Sequence, residues 1–380
     1  MWSKPLSRYA IHLLLFLITF TTTTLAGAEW ISGKLFFLGE EGFNWGGLLT
    51  WEQIKRGLAF SIPFLGVLTV HEFGHYFTAR KYNVRVTLPY YIPLWFGVIS
   101  SIGTMGAFIR IKERIFSRKE FFDIGIAGPL AGFVVALPLL WYGFTHLPEP
   151  EYIFQIHPKY EQFGLDYPKY VYQEAGVSIG LGKNLLFWLF ENTLVADPAL
   201  LPHKYEMIHY PYLFAGFLAL FFTALNLLPI GQLDGGHILY GLVGYRNFNR
   251  FSPIFFVIFI LYAGTGIITP TSTPDELMWY GGIYILYLYI VFKPIVPFPK
   301  QAIFLVAGVV AAQYTLGIIF PEAQGYNGWL VFGLLLSRML GVFHPSCPDE
   351  RPLSTGRKVL GWFAFVVFIL CFSPSPFVIE

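Results

Sequence analysis

The sequence predicts an all-α polytopic membrane protein, and three observations lead there. Hydrophobic residues make up 55% of the 380 residues and charged residues only 13%, with a mean hydropathy of +0.56; soluble domains carry about twice that share of charge. Apolar runs of roughly 18 to 25 residues recur along the chain, each long enough to cross about 30 Å of hydrocarbon as a helix. Between them, loops rich in Lys and Arg alternate with loops poor in both, as segments on opposite sides of a membrane do.

The runs fall near residues 9–27, 57–79, 121–147, 211–230, 251–270, 279–296, 301–320, 327–344 and 359–378, which makes about nine transmembrane helices. The first has a rival reading as a signal peptide, because Lys4 and Arg8 precede its apolar stretch and Ala26-Gly27-Ala28 resembles a cleavage site. We expect a retained span; either reading leaves residue 29 outside. With the N-terminus on the cytoplasmic side, 18 of the 25 basic residues are inside, among them Arg80, Lys81, Arg110, Lys112, Arg114, Arg118 and Lys119. Glu40, Glu41, Glu149, Glu151, Asp275, Glu276 and Glu322 are left outside. A net charge of +2 shows no basic surplus, so nucleic-acid binding is excluded as a function class. Cys347 and Cys371 are too few and too far apart for a metal motif, and the topology separates them, so two unrelated thiols are expected.

The second run contains HEFGH at residues 71–75. Ionisable groups at membrane depth are expensive and therefore functional by default. On a helix, His71 and His75 share a face and can converge on one metal ion, while Glu72 is beside them to take a proton from a metal-held water. A second signal closes the run 211–230, where residues 226–237 read NLLPIGQLDGGH. Asp234 is the carboxylate of that stretch and the natural third zinc ligand, leaving the fourth position to water as catalytic sites require. Both motifs end runs directed to the inner side. Pro229 stops the helix before Gly231, Gly235 and Gly236, so the backbone there is expected to be irregular. Asn226 is polar within an apolar span and could steady an oxyanion, or simply bond a neighbouring helix. His237 is expected in a loop at the inner interface.

The pairing of HEFGH with NLLPIGQLDGG resembles the signatures of the site-2 protease family, intramembrane zinc metallopeptidases that carry HExxH and a distant NxxPxxxLDG. The resemblance covers roughly residues 57–245. It implies one Zn2+ per chain held by His71, His75 and Asp234, with Glu72 as general base and acid, and cleavage of transmembrane protein substrates near the cytoplasmic side, that is, regulated intramembrane proteolysis. A metal transporter would be expected to repeat its halves, and neither motif recurs. An inactive scaffold that binds membrane proteins would not need Glu72.

Residues 84–113 lie between the motifs and are punctuated by Pro89, Pro93, Gly97, Gly103 and Gly106, which prevents a long helix. Extended segments near 85–92 and 105–111 predict a re-entrant β-hairpin-like loop at the membrane edge. In similar proteases such a loop offers its edge to unwound substrate. Ser100, Ser101 and Gly103 are small enough to let a second backbone approach and are the candidate substrate-binding residues. GIAGPLAG at 125–132 spaces small residues three and four apart, a helix-packing stripe with no chemistry of its own.

The domain organisation expected is an N-terminal span and outer loop (1–56), a protease core (57–245) that includes an outer loop at 148–210, and C-terminal helices (251–380). The outer loop holds a short apolar piece near Leu185–Leu194 and the histidines His157, His203 and His209, which are scattered and expected at the surface. No stretch resembles a tethered PDZ module. Trp95, Trp141, Trp279 and Trp362 are expected at the bilayer interface. The lipid bilayer is the one surrounding partner implied; the expected host is a prokaryotic plasma membrane, with an organelle membrane of bacterial ancestry second. Sequence says nothing of oligomeric state.

Overall fold

The computed structural model describes residues 5–39, 41–172 and 178–379. It is a mostly helical membrane protein, and each of the nine apolar runs contains a helix. Helix α1 spans Pro5–Ser32 and α2 spans Leu58–Lys81; α2 follows a short helix, Trp51–Arg56, opened by a capping box between Thr50 and Gln53. Asn83, at φ +58°, ends α2: Asn83 N–H returns to Arg80 O at 3.0 Å and Val84 N–H to Ala79 O at 3.0 Å, with Arg80 and Lys81 against the helix's negative end. Strands β1 (Tyr90–Leu94) and β2 (Gly103–Phe108) come next, then α3 (Arg118–Thr145).

Beyond α3 lie α4 (Leu185–Leu194) and β3 (Ile179–Leu181), followed by α5 (Pro211–Leu227), α6 (Asp234–Val243) and α7 (Tyr245–Ala263). The chain closes with α8 (Gly282–Phe292), α9 (Pro299–Ile319), α10 (Gly328–Leu335), α11 (Thr355–Cys371) and β4 (Phe377–Ile379), which pairs antiparallel with β3. Among the described residues, five stretches are long and apolar enough to cross a membrane: Tyr9–Ser32, Trp51–Lys81, Arg118–Thr145, Pro274–Ile295 and Pro299–Ile319. The remaining four runs give shorter or more polar helices. Pro229 stops α5 at Leu227, while α7 and α11 open on Arg246 and Arg250 and on Arg357 and Lys358.

The chain divides into two compact units. The first comprises Met1–Arg114, Ala127–Leu225 and Val366–Glu380. In it α1 lies against α2 and against both strands of the β1–β2 hairpin. Gly57, at the entrance to α2, lets the two helices close, because a Cβ there would sit 2.1 Å from Thr24 O. The hairpin pairs Tyr90 with Phe108 through Leu94 with Gly103, and its register shifts between Ile92 and Pro93, where proline has no N–H to donate. Thr104 Oγ1 donates to Ile92 O at 2.8 Å across that irregularity. A bridge between Val86 and Ile111 continues the ladder beyond the regular pairing at 90–94 and 103–108.

The segment 148–210 carries short helical pieces among its described residues. It contains the 3-10 stretches Pro150–Gln155 and Pro158–Asp166 among others, and α4, which is capped by Asn184 and coincides with the apolar piece too short to cross. Its histidines correct the sequence reading. His157 and His209 face one another at 3.3 Å, Nε2 to Nε2, and His209 is buried; His203 stacks on Tyr172. Trp95 is likewise half-buried among Phe36 and Phe37, whereas Trp141, Trp279 and Trp362 are exposed.

The second unit comprises Ile115–Ile126 and Asn226–Phe365. Arg357 forks onto Asp123, Nε to Oδ1 at 2.8 Å and Nη2 to Oδ2 at 2.9 Å, and Arg118 Nε donates to Gly241 O at 2.8 Å. Cys347, in this unit, and Cys371, in the first, are both buried and free.

A candidate metal centre

The apolar body of α2 carries three ionisable side chains into the interior of the first unit. His71, Glu72 and His75 are 5%, 4% and 6% exposed. Burial of such groups is tolerated only with partners. One helical turn brings His71 Nε2 to 3.1 Å from His75 Nε2, and Glu72 Oε1 lies 3.9 Å from His71 Nε2. Between two facing imidazole nitrogens one can donate only if the other accepts, so at least one lone pair points into the gap. About 3.3 Å is the separation of two nitrogens on a tetrahedral zinc with bonds of about 2.0 Å. The pair therefore fits a zinc ion.

The glycine stripe of α3 makes room for these rings. A Cβ at Gly128 would lie 2.1 Å from His75 Nε2, and one at Gly132 would lie 3.2 Å from His71 Cβ. Gly74 serves the same contact from the other side, its absent Cβ falling 2.6 Å from Ala127 O. The stripe was legible as packing; that it packs against the imidazoles was not.

The second motif folds within the second unit. Asn226 is in the last turn of α5, and residues 228–233 leave the helix. Ile230 N–H returns to Leu228 O at 2.8 Å, and Gly231, at φ +61°, donates its N–H to Ser252 Oγ at 2.9 Å. Cβ atoms at Gly235 and Gly236 would fall 2.0 Å from Leu227 O and 2.2 Å from Gly231 O. This is the irregular backbone that Pro229 and the glycines predict, closed too tightly for other residues. Asp234 is the first residue of α6, where its carboxylate also meets the positive end of the helix. His237 departs from the sequence reading: it lies within α6 rather than a loop, and its Nδ1 is 2.8 Å from His344 Nε2.

Of the hairpin residues, Ser100 is exposed, and Ser101 is half-buried with its carbonyl accepting from Trp30 Nε1 at 2.7 Å. Gly103 is buried at φ +82°, its carbonyl accepts from Thr22 Oγ1 at 2.7 Å, and a Cβ there would stand 2.2 Å from Thr23 Cα. A second backbone does approach Gly103, and it is that of α1.

The model of peptidase family M50 matches residues 59–268. The chain is 27% identical over 237 residues to a rice protein (Oryza sativa subsp. indica) named "Probable zinc metalloprotease EGY2, chloroplastic", covering 58% of this chain and 38% of that one. It is 28% identical over 259 residues to the Arabidopsis thaliana protein of the same name, covering 62% and 41%, and 27% identical over 238 residues to the Arabidopsis "Probable zinc metalloprotease EGY1, chloroplastic", covering 63% and 37%. The chain thus spans about two fifths of the length of these curated relatives. No solved structure matches it.

Proposed function

Because this chain belongs to peptidase family M50, the family of the site-2 proteases, we propose that it is an intramembrane zinc metalloprotease. It cuts transmembrane segments of membrane proteins near the cytoplasmic side, the reaction of regulated intramembrane proteolysis. The observation that carries this reading is the buried His71–His75 pair, Nε2 atoms 3.1 Å apart, with Glu72 beside it on a membrane helix.

His71, His75 and Asp234 would hold the zinc. When bound, zinc supplies Lewis acidity and brings a water to a pKa of about 7. Glu72 accepts a proton at its carboxylate as the peptide carbonyl is attacked, then returns it to the leaving amine. Asn226 donates from its amide to the oxyanion. Substrate joins the edge of the β1–β2 hairpin by main-chain pairing. Since α1 already covers Gly103, the small residues left to receive it are Ser100 and Ser101. The protease core is residues 57–245, in a chain of nine spans with its N-terminus in the cytoplasm. The compartment named for the plant relatives weighs toward the second of the two expected hosts, an organelle membrane of bacterial ancestry, over a prokaryotic plasma membrane.

The test is zinc content and cleavage of a single-span substrate by the purified protein and two variants. Glu72→Gln keeps zinc and loses cleavage by a factor of about 10² to 10⁴, the usual weight of a general base; Asp234→Ala loses both. Equal zinc loss in the two variants would contradict these roles. Phenanthroline stops turnover and added zinc restores it, and turnover that survives chelation would remove the mechanism.

A further inference from the structure

The outer region of the first unit holds a second group of metal-type ligands. His157 precedes the 3-10 stretch Pro158–Asp166, and Glu206 and His209 bracket a single 3-10 turn, Met207–His209, that leads into α5. His157 Nε2 is 3.3 Å from His209 Nε2 and 3.5 Å from Glu206 Oε2, and His209 Nε2 is 3.3 Å from the same oxygen. Three ligand atoms thus form a nearly equilateral triangle. Its edges match the roughly 3.3–3.4 Å between ligands on a tetrahedral zinc with bonds of 2.0–2.1 Å.

The surroundings prepare these atoms for an ion. His209 Nδ1 faces the carbonyl oxygen of Trp30, an acceptor only, so Nδ1 carries the ring's proton and Nε2 turns its lone pair into the triangle. Tyr172 donates its hydroxyl to Glu206 Oε1, which fixes the carboxylate and leaves Oε2 directed inward. Glu206 is 3% exposed, and its Oε2 has no hydrogen-bond donor of ordinary geometry among the described residues. His157 is held by stacking on Tyr160 at 4.6 Å. Gly33, at φ +61°, lies over both rings: a Cβ there would stand 3.2 Å from His157 Cε1 and 3.4 Å from His209 Cε1. Outer partners of this kind, a backbone carbonyl on the imidazole and a hydroxyl on the carboxylate, are those that orient metal ligands. An entry path exists, because His157 also lines a cavity of about 1100 Å³ with Ser32, Gly33, Lys34 and Tyr160.

We propose that His157, Glu206 and His209 form a second binding site for a divalent transition metal, zinc by ligand type, on the outer side of the protein. Two imidazoles and a carboxylate leave a fourth position open to water. The ion would tie the exit of α1, the 3-10 stretches and the entrance of α5 into one piece. This does not depend on the protease reading.

The experiment counts zinc per chain in the purified full-length protein after loading and desalting. Wild type binds two equivalents. His71→Ala/His75→Ala keeps one, since every outer residue is intact, and Co2+ bound there shows the intense visible absorption of a tetrahedral site. His157→Ala/His209→Gln also keeps one, and Tyr172→Phe weakens the outer equivalent about tenfold, as removal of an outer partner does. One equivalent in the wild type, retained by His157→Ala/His209→Gln, would overturn the outer site and leave the core intact. One equivalent lost only in that variant would overturn the core site and keep the outer one. No metal in the His71→Ala/His75→Ala protein would refute the proposal even if the outer variants failed to fold.

Discussion

His75 sits where a single methyl group does not fit. With 2.1 Å between its Nε2 and a Cβ at position 128, Gly128→Ala must push the ring off the axis it shares with His71. Zinc affinity is expected to fall at least about tenfold, by the measure of perturbed ligand orientation. Gly132→Ala, whose Cβ would meet His71 Cβ at 3.2 Å, should cost less. Competition with a chromophoric chelator reads both, and equal affinities in the three proteins would show the stripe to be packing alone. The approach of His71 to His75 was legible because residues four apart share one face of a helix, and Asp234 stood out as the carboxylate of its stretch. The outer cluster was not, since its two histidines are 52 residues apart and only folding brings them together. A local trace existed: Glu206 and His209 have the spacing that puts two ligands on one turn, and attention to histidines alone passed over it.

At the scale of elements, the hairpin is held by α1 through contacts at its tightest point. Thr22→Val removes the hydroxyl that bonds Gly103 O and should cost about 1 kcal/mol, a typical net hydrogen bond. Gly103→Ala combines a left-handed φ with a backbone collision and should cost more than Thr22→Val. Thermal melts in detergent compare the two; a milder loss for Gly103→Ala would mean that α1 yields there. The hairpin was readable from its prolines and glycines, which forbid a helix. Its limits shifted because Pro93 stays in the strand, at the one irregularity of register where a missing N–H is harmless. The stop of α5 followed from Pro229, but the extra helical turns of α6 did not, because Gly235 and Gly236 argue against helix until their close approach to Leu227 and Gly231 is seen.

For the whole molecule, composition alone was enough to set the class, and the apolar runs located the helices, because lipid allows few alternatives to a helix. Three of the four limits between the two units fall within α3, α5 and α11, where a local reading sees an unbroken run, and the fourth, between Arg114 and Ile115, lies just before α3. The proposed topology makes its own prediction. In a background lacking Cys347 and Cys371, single cysteines at the exposed positions Asp197 and Arg246 should react with an impermeant thiol reagent from opposite faces of sealed vesicles. Labelling of both from one face would refute the assignment of α5 as a crossing.

The threonines of α1 bear on how the protein is made. Thr22 Oγ1 reaches Thr19 O at 3.1 Å as well as Gly103 O, Thr21 bonds Leu17 O at 3.0 Å, and Thr24 bonds Phe20 O at 2.8 Å. Thr22 and Gly103 are 81 residues apart, so α1 leaves the ribosome well before the hairpin it will clasp. In that interval these hydroxyls are satisfied by their own helix, and α1 can enter lipid without exposing them as bare donors. The arriving hairpin then finds a donor already aimed. A segment synthesised before the hairpin is in this sense a template for it.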